Sequence, residues 1–196
     1  MKKIIVFLLL ASGKSAYSQN LKVFTEIGFS INNELNQKSI GLFKATGLGY
    51  QKYLDNDWYV ELCPSLFSLQ FNNSNQNGQD VFRTYRFLEI DLAAKKYLII
   101  SPKSRIYMQL GLYSNYFFKK KIEIDFLETK EEYNNIGYNF GLSASFGLST
   151  KLSNSLNFDI GLVTKSDLFF SYLNKDNKLN ISRESFRISF YKRIKK

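Results

Sequence analysis

Apolar and polar residues alternate one by one over most of the chain, and that alternation predicts strands. It is cleanest in residues 136–150, IGYNFGLSASFGLST. There Tyr138, Phe140, Leu142, Ala144, Phe146 and Leu148 share one face, and Gly137, Asn139, Gly141, Ser143, Ser145 and Gly147 share the other. The period of two and the density of glycine exclude a helix. The polar face is unusually small, built of Gly, Ser and Asn. In a soluble sandwich the apolar face would point inward. A small polar face suits instead the lumen of a narrow barrel with lipid outside.

Seven further segments repeat the pattern. In 22–31, Val23, Thr25, Ile27, Phe29 and Ile31 oppose Lys22, Phe24, Glu26, Gly28 and Ser30. In 40–53, Ile40, Leu42, Leu48 and Tyr50 oppose Gly41, Phe43, Ala45, Gly47, Gly49 and Gln51, while Lys44 interrupts the outer face and must lie near a rim or snorkel. In 58–69, Trp58, Val60, Leu62 and Leu66 oppose Tyr59, Glu61, Cys63 and Ser65, and Pro64 predicts a bulge or a weakened pairing. Segments 82–98, 105–118, 156–172 and 184–194 place Leu88, Met108, Ile160 and Ile188 outward and Glu89, Gln109, Asp159 and Arg187 inward. The count is eight, each segment long enough for the ~9–11 residues of a tilted membrane strand. The second, fourth and sixth connections are short (55–57, 101–104 and 151–155), whereas the first, third, fifth and seventh (32–39, 72–81, 119–135 and 173–183) are longer and polar. Short periplasmic turns and long external loops mark an outer-membrane barrel. The fold expected is therefore all-β, an eight-stranded antiparallel up-and-down transmembrane barrel over residues 19–196.

Residues 1–18 read as a signal peptide. Lys2 and Lys3 precede an apolar core, 4–11, too short to span a bilayer, and Ala16, Tyr17 and Ser18 give a small-x-small pattern before Gln19. Three of the 27 basic residues lie there, which leaves 24 against 17 acidic, a net charge of +7 for the mature chain. That balance fits lipid phosphates or an anionic cell surface better than a nucleic acid, and no nucleic-acid partner is expected.

The chain has no histidine, which excludes Ser-His-Asp and Cys-His catalysis and His-ligated zinc or haem. Its single cysteine, Cys63, has no internal disulfide partner and reads as a small packed residue. No catalytic, cofactor or metal site is legible, and no cofactor is expected. The inward faces do carry Glu26, Glu61, Glu89, Asp91 and Asp159 with Lys22, Lys95, Lys165 and Arg187. In a narrow barrel such charges are expected to pair across the lumen, because an unpaired buried charge costs several kcal/mol. Lys119, Lys120 and Lys121 form a basic run on the longest predicted loop, a candidate contact for lipopolysaccharide phosphates.

The segment FLEIDLAAKKYL (87–98) followed by IYMQLGLYSNYFF (106–118), with GYNFGLSASFGL further on, resembles the outer-membrane barrel domain of PorT-like proteins from Bacteroidetes. The resemblance implies an eight-stranded barrel similar in shape to the OmpA transmembrane domain. Asp91 stands where that family often has Pro, and the chain ends SFYKRIKK rather than on an aromatic residue. Together these readings predict a non-enzymatic, monomeric outer-membrane protein of the cell envelope with a side-chain-filled lumen. It would touch outer-membrane lipid and lipopolysaccharide. An accessory role in secretion or surface assembly, with an envelope protein partner, is the second expectation. A secreted soluble barrel carrying a small ligand is the third.

Overall fold

The computed structural model describes residues 19–34, 37–74, 80–124, 127–129, 137–168, 171–174 and 177–194. The expected signal peptide, 1–18, lies outside the described residues. Ten strands follow one another: β1 (Gln19–Glu34), β2 (Gln37–Tyr53), β3 (Trp58–Ser74), β4 (Asp80–Ile99), β5 (Ser104–Ile124), β6 (Leu127–Thr129), β7 (Gly137–Lys151), β8 (Leu156–Asp167), β9 (Ser171–Asn174) and β10 (Asn177–Ile194). Eight of them, β1, β2, β3, β4, β5, β7, β8 and β10, pair with their sequential neighbours in antiparallel order. The last also pairs with the first, from Gln19↔Ile194 to Asn33↔Asn180, so the sheet closes on itself. The short β6 and β9 fold back on β5 and β10. Closure leaves the eight-stranded sheet without a free edge, which is what a barrel in lipid requires.

The sidedness follows the alternation. Outward-facing Phe29, Ile40, Leu110 and Phe146 are 64%, 69%, 70% and 58% exposed, whereas inward-facing Glu61, Arg183, Lys22 and Lys95 are all 1% exposed or less. A soluble ligand-carrying barrel would need the opposite arrangement. Pro64 points outward; the ladder from β3 to β4 passes it unbroken, but the ladder to β2 lapses between Gly47↔Ser65 and Tyr50↔Leu62. The weakened pairing thus falls on the β2 side, and the only register shift between β4 and β5 lies elsewhere, at Arg86/Phe87.

Three tight connections gather at one end. The first, between β2 and β3, turns on Asn56 and Asp57, both with positive φ (49° and 62°), and Trp58 N donates to Asp55 O at 2.8 Å. Two successive left-handed residues make a type I′ turn, whose twist matches that of the flanking strands.

At the other end the strands run further than the composition suggests. Residues 32–34, 37–39, 72–74, 80–81, 119–124 and 177–183 were expected in loops but lie in β1, β2, β3, β4, β5 and β10. Past the apolar band the outward face is no longer apolar and the inward face carries buried Val81 and Ile181, so the contrast read from the belt is lost while the hydrogen-bond ladder continues. Lys119, Lys120 and Lys121 are therefore strand residues, paired with Arg86, Tyr85 and Thr84, and not a loop. Conversely, the segment read as one strand over 156–172 ends at Asp167 and resumes as β9.

Inside, Gly147 and Gly161 face each other across β7 and β8 and make room for the buried Tyr107. A Cβ on Gly161 would run into the Tyr107 hydroxyl and the Phe146 carbonyl. Gly161→Val is expected to cost about 1–3 kcal/mol by overpacking. The check is the temperature at which the folded band is lost on an unheated detergent gel, with the outward-facing Leu162→Val as a nearly silent control.

Candidate functional site

The lumen is the one place where the fold concentrates chemistry-bearing side chains. Alternation sends the inward residue of each strand to the axis, and the eight strands stack these residues in tiers. At the turn end the tiers begin with tyrosines: Tyr53 on Tyr59 (5.2 Å between ring centroids), Tyr59 on Tyr97 (5.2 Å) and Tyr97 on Tyr107 (6.2 Å). The Arg105 guanidinium lies 4.7 Å from the Tyr97 ring.

Glu61 is the hub of the next tier. Its carboxylate accepts from Lys22 Nζ (2.8 Å), Gln51 Nε2 (2.9 Å) and the Tyr191 hydroxyl (3.0 Å). Lys95 Nζ lies 3.4 Å from Glu61 and donates to Asp159 (2.5 Å) and to the Tyr191 oxygen (2.8 Å). The Tyr97 hydroxyl donates to Asp159 at 3.2 Å, and Asn20 reaches Gln51 at 2.7 Å. Lys22 Nζ also sits over the rings of Phe24 and Tyr191, at 5.2 and 5.3 Å.

The middle tier joins Glu26 to Arg187, with Ser185 donating to Glu26 at 3.3 Å. Lys165 bridges Glu89 (2.5 Å) and Asp91 (3.1 Å), Ser143 donates to Asp91 at 3.0 Å, and Arg187 stands 3.9 Å from Asp91. Asp91 is thus a carboxylate set between two cations.

Above lies Arg183, which donates to Glu89 at 2.5 Å and covers Phe67 at 4.4 Å and Tyr113 at 4.9 Å. Asp167 accepts from the Tyr113 hydroxyl (2.6 Å), Asn139 (2.7 Å) and the Ile181 amide (3.0 Å). A buried apolar cluster that includes Phe43, Phe67, Phe71, Tyr85, Phe87 and Phe117 then fills the hairpin end, with Phe67 and Phe87 stacked 4.5 Å apart. The charges are thus enclosed between two aromatic plugs.

All nine charges expected in the lumen, Glu26, Glu61, Glu89, Asp91, Asp159, Lys22, Lys95, Lys165 and Arg187, sit there and are brought into one another's reach. Sequence reasoning missed Arg183 and Asp167. Extending the Arg187–Ser185 alternation one more step would have found Arg183. With the nine expected charges, Arg183 and Asp167 make five cations facing six carboxylates among the described buried residues, so the interior is close to neutral. Each carboxylate that touches a cation or a donor is committed to it. Among the described residues no group of three or more His, Cys, Asp or Glu side chains could hold a metal. What the arrangement does is lock the walls together: beside the Glu26–Arg187 pair between adjacent β1 and β10, its links reach from β1 to β3 and from β4 to β8 and β10, between strands that do not pair with each other. The basic run lies apart from it, with Lys121 paired to Glu123 on the same strand.

No protein-family model matches the chain, and no curated protein matches it. Among solved structures it is similar to the outer membrane protein OprG from Pseudomonas aeruginosa, at 14% identity over 94% of this chain and 99% of that one, with a TM-score of 0.63. It is also similar to Neisserial surface protein A, at 10% identity over 88% and 96% of the two chains, with a TM-score of 0.56. The likeness is one of fold, and the chain is a closed eight-stranded antiparallel β-barrel.

Proposed function

We propose that this chain is a non-enzymatic β-barrel of a Gram-negative outer membrane, a structural or surface element of the cell envelope whose lumen is plugged by its own side chains. Residues 1–18 direct its export. The observation that carries the reading is the sidedness: a belt of exposed Leu, Ile and Phe surrounds a closed, ion-paired interior. Water does not tolerate such a belt on a monomer, whereas hydrocarbon does. Within that class the 87–98 and 106–118 strands support a place among PorT-like barrels, and with it an envelope protein as partner.

Density-gradient fractionation of cells producing the protein tests the placement. The protein should travel with the outer membrane and stay in the pellet after a carbonate wash. Recovery from the soluble periplasm would overturn it.

The plugged lumen gives a second expected result. An eight-stranded interior is about wide enough for side chains to fill, and Arg183, Tyr113, Tyr191, Lys22 and Lys95 are among the largest fully buried groups here. Purified, refolded protein in planar bilayers should give no steady channel openings. Sustained unitary currents would show that the plug is not closed.

A further inference from the structure

The ion-paired charges of the lumen have partners; among the described residues, two on the outer wall near the hairpin end do not. Lys44 on β2 and Arg86 on β4 both point outward, and neither makes a hydrogen bond or ion pair with any described residue. They flank one residue: the ladders pair Lys44 with Ser68 and Ser68 with Arg86, so the three side chains form a single row across β2, β3 and β4. The next outward step continues the row to Lys119 on β5, opposite Arg86. The row lines a shallow recess of about 430 Å³ with Leu66, Thr46 and Phe118.

Its position along the strands matters. On β3, Ser68 is the first polar outward residue after Val60, Leu62, Pro64 and Leu66; on β4, Arg86 ends the apolar run Ala94, Leu92, Ile90 and Leu88. The row therefore sits where the greasy belt gives way to polar wall at the hairpin end. The row toward the turns holds Thr46, Leu66 and Leu88, and the row toward the hairpins holds Leu42, Gln70 and Thr84, so neither puts a carboxylate beside Lys44 or Arg86; Glu26, whose residue also lines the recess, turns its carboxylate inward to Arg187. The outward carboxylate Glu184 lies on β10 and accepts instead from Thr164, at 2.6 Å.

We propose that Lys44, Ser68 and Arg86 hold the phosphate of a phosphorylated glycolipid in the outer leaflet, a proposal that rests on the outer-membrane reading above. The chemistry matches at each point. An unpaired guanidinium and ammonium either side of a hydroxyl offer a phosphate charge-assisted donors in a fixed arrangement. The apolar stem of Lys44 runs along the belt and lets its ammonium rise to headgroup level. Leu66 and Phe118 lie against the acyl chains below. At this boundary the anion presented to the wall is a lipid phosphate, and the exposed Lys44 and Arg86 stand on the outward face, where a lipid reaches them.

The test uses the full mature chain refolded in detergent micelles and a fluorescent diphosphoryl lipid A as probe. Three proteins are compared: wild type, Lys44→Gln/Arg86→Gln, and Lys151→Gln/Lys192→Gln, which removes the same charge from the opposite rim. Loss of the paired donors should weaken probe binding about ten-fold or more, while the opposite-rim variant binds as wild type does. Dephosphorylated lipid A should bind the wild type as weakly as the intact probe binds the double variant. Inorganic phosphate in the millimolar range should not displace the probe. Equal binding by all three proteins, equal loss in both variants, or displacement by inorganic phosphate would each overturn the proposal. Retention of the refolded double variant in vesicles after a carbonate wash reports separately on the membrane placement. The two readings can therefore fail independently.

Discussion

Glu61→Leu is expected to destabilise the folded barrel by about 3–5 kcal/mol, because it leaves buried cations without their counter-charge. Glu61 is fully buried and receives Lys22, Gln51 and Tyr191 directly, with Lys95 at 3.4 Å. Lys95 keeps Asp159 at 2.5 Å after the substitution; Lys22 keeps only the faces of Phe24 and Tyr191. The stranded charge is thus Lys22. Lys22→Met/Glu61→Leu removes both partners, puts two apolar groups of similar length in their place, and should recover most of the lost stability. Urea titration of protein refolded into lipid vesicles, followed by Trp58 fluorescence, measures both variants. A single substitution that moves the midpoint no more than an exposed surface change does, within about 0.5 kcal/mol, would mean that water reaches this tier and the lumen is not closed.

The barrel wall was legible because its two environments differ in residue type. Hydrocarbon selects Leu, Ile and Phe, and a crowded axis selects Gly, Ser and charges that can pair, so a strict period of two shows in 136–150 or 22–31. Legibility ended where those environments end. Around Arg183 the outward neighbours are Ser182 and Glu184, and beside Asp167 stands Ser166. Polar residues on both faces erase the contrast, and two members of the buried polar network passed unnoticed. The same loss turned Lys119–Lys121 into an apparent loop, since three successive lysines carry no alternation, although the β4 ladder runs straight past them.

Pairing was illegible for a different reason. Lys95 meets Asp159 at a sequence separation of 64, and Arg183 meets Glu89 at 94; only the closing of the sheet decides which tiers face each other. Lys44 shows the opposite case. It was visible as a charge breaking the apolar face, and its sequence neighbours say nothing of Ser68 or Arg86, which reach it through strand register alone.

Leu110→Arg separates a membrane wall from a merely greasy one. Leu110 is 70% exposed on β5, between Met108 and Leu112 on the outward face, and near the middle of the apolar run that begins at Ile106. In water an exposed leucine replaced by arginine changes stability by no more than about 0.5 kcal/mol. In hydrocarbon the same change near the midplane costs about 2–4 kcal/mol, falling to about 0–1 kcal/mol at the interface. Leu98, 46% exposed and outward-facing at the turn end of β4, supplies the interfacial comparison. Unfolding titrations in vesicles should therefore rank Leu110→Arg well below Leu98→Arg, with the latter close to wild type. A protein partner covering the belt could penalise both positions, but it has no reason to grade the penalty by depth. The gradient is the signature of a bilayer, and equal effects at the two positions would remove the physical basis for reading the exposed belt as a lipid contact.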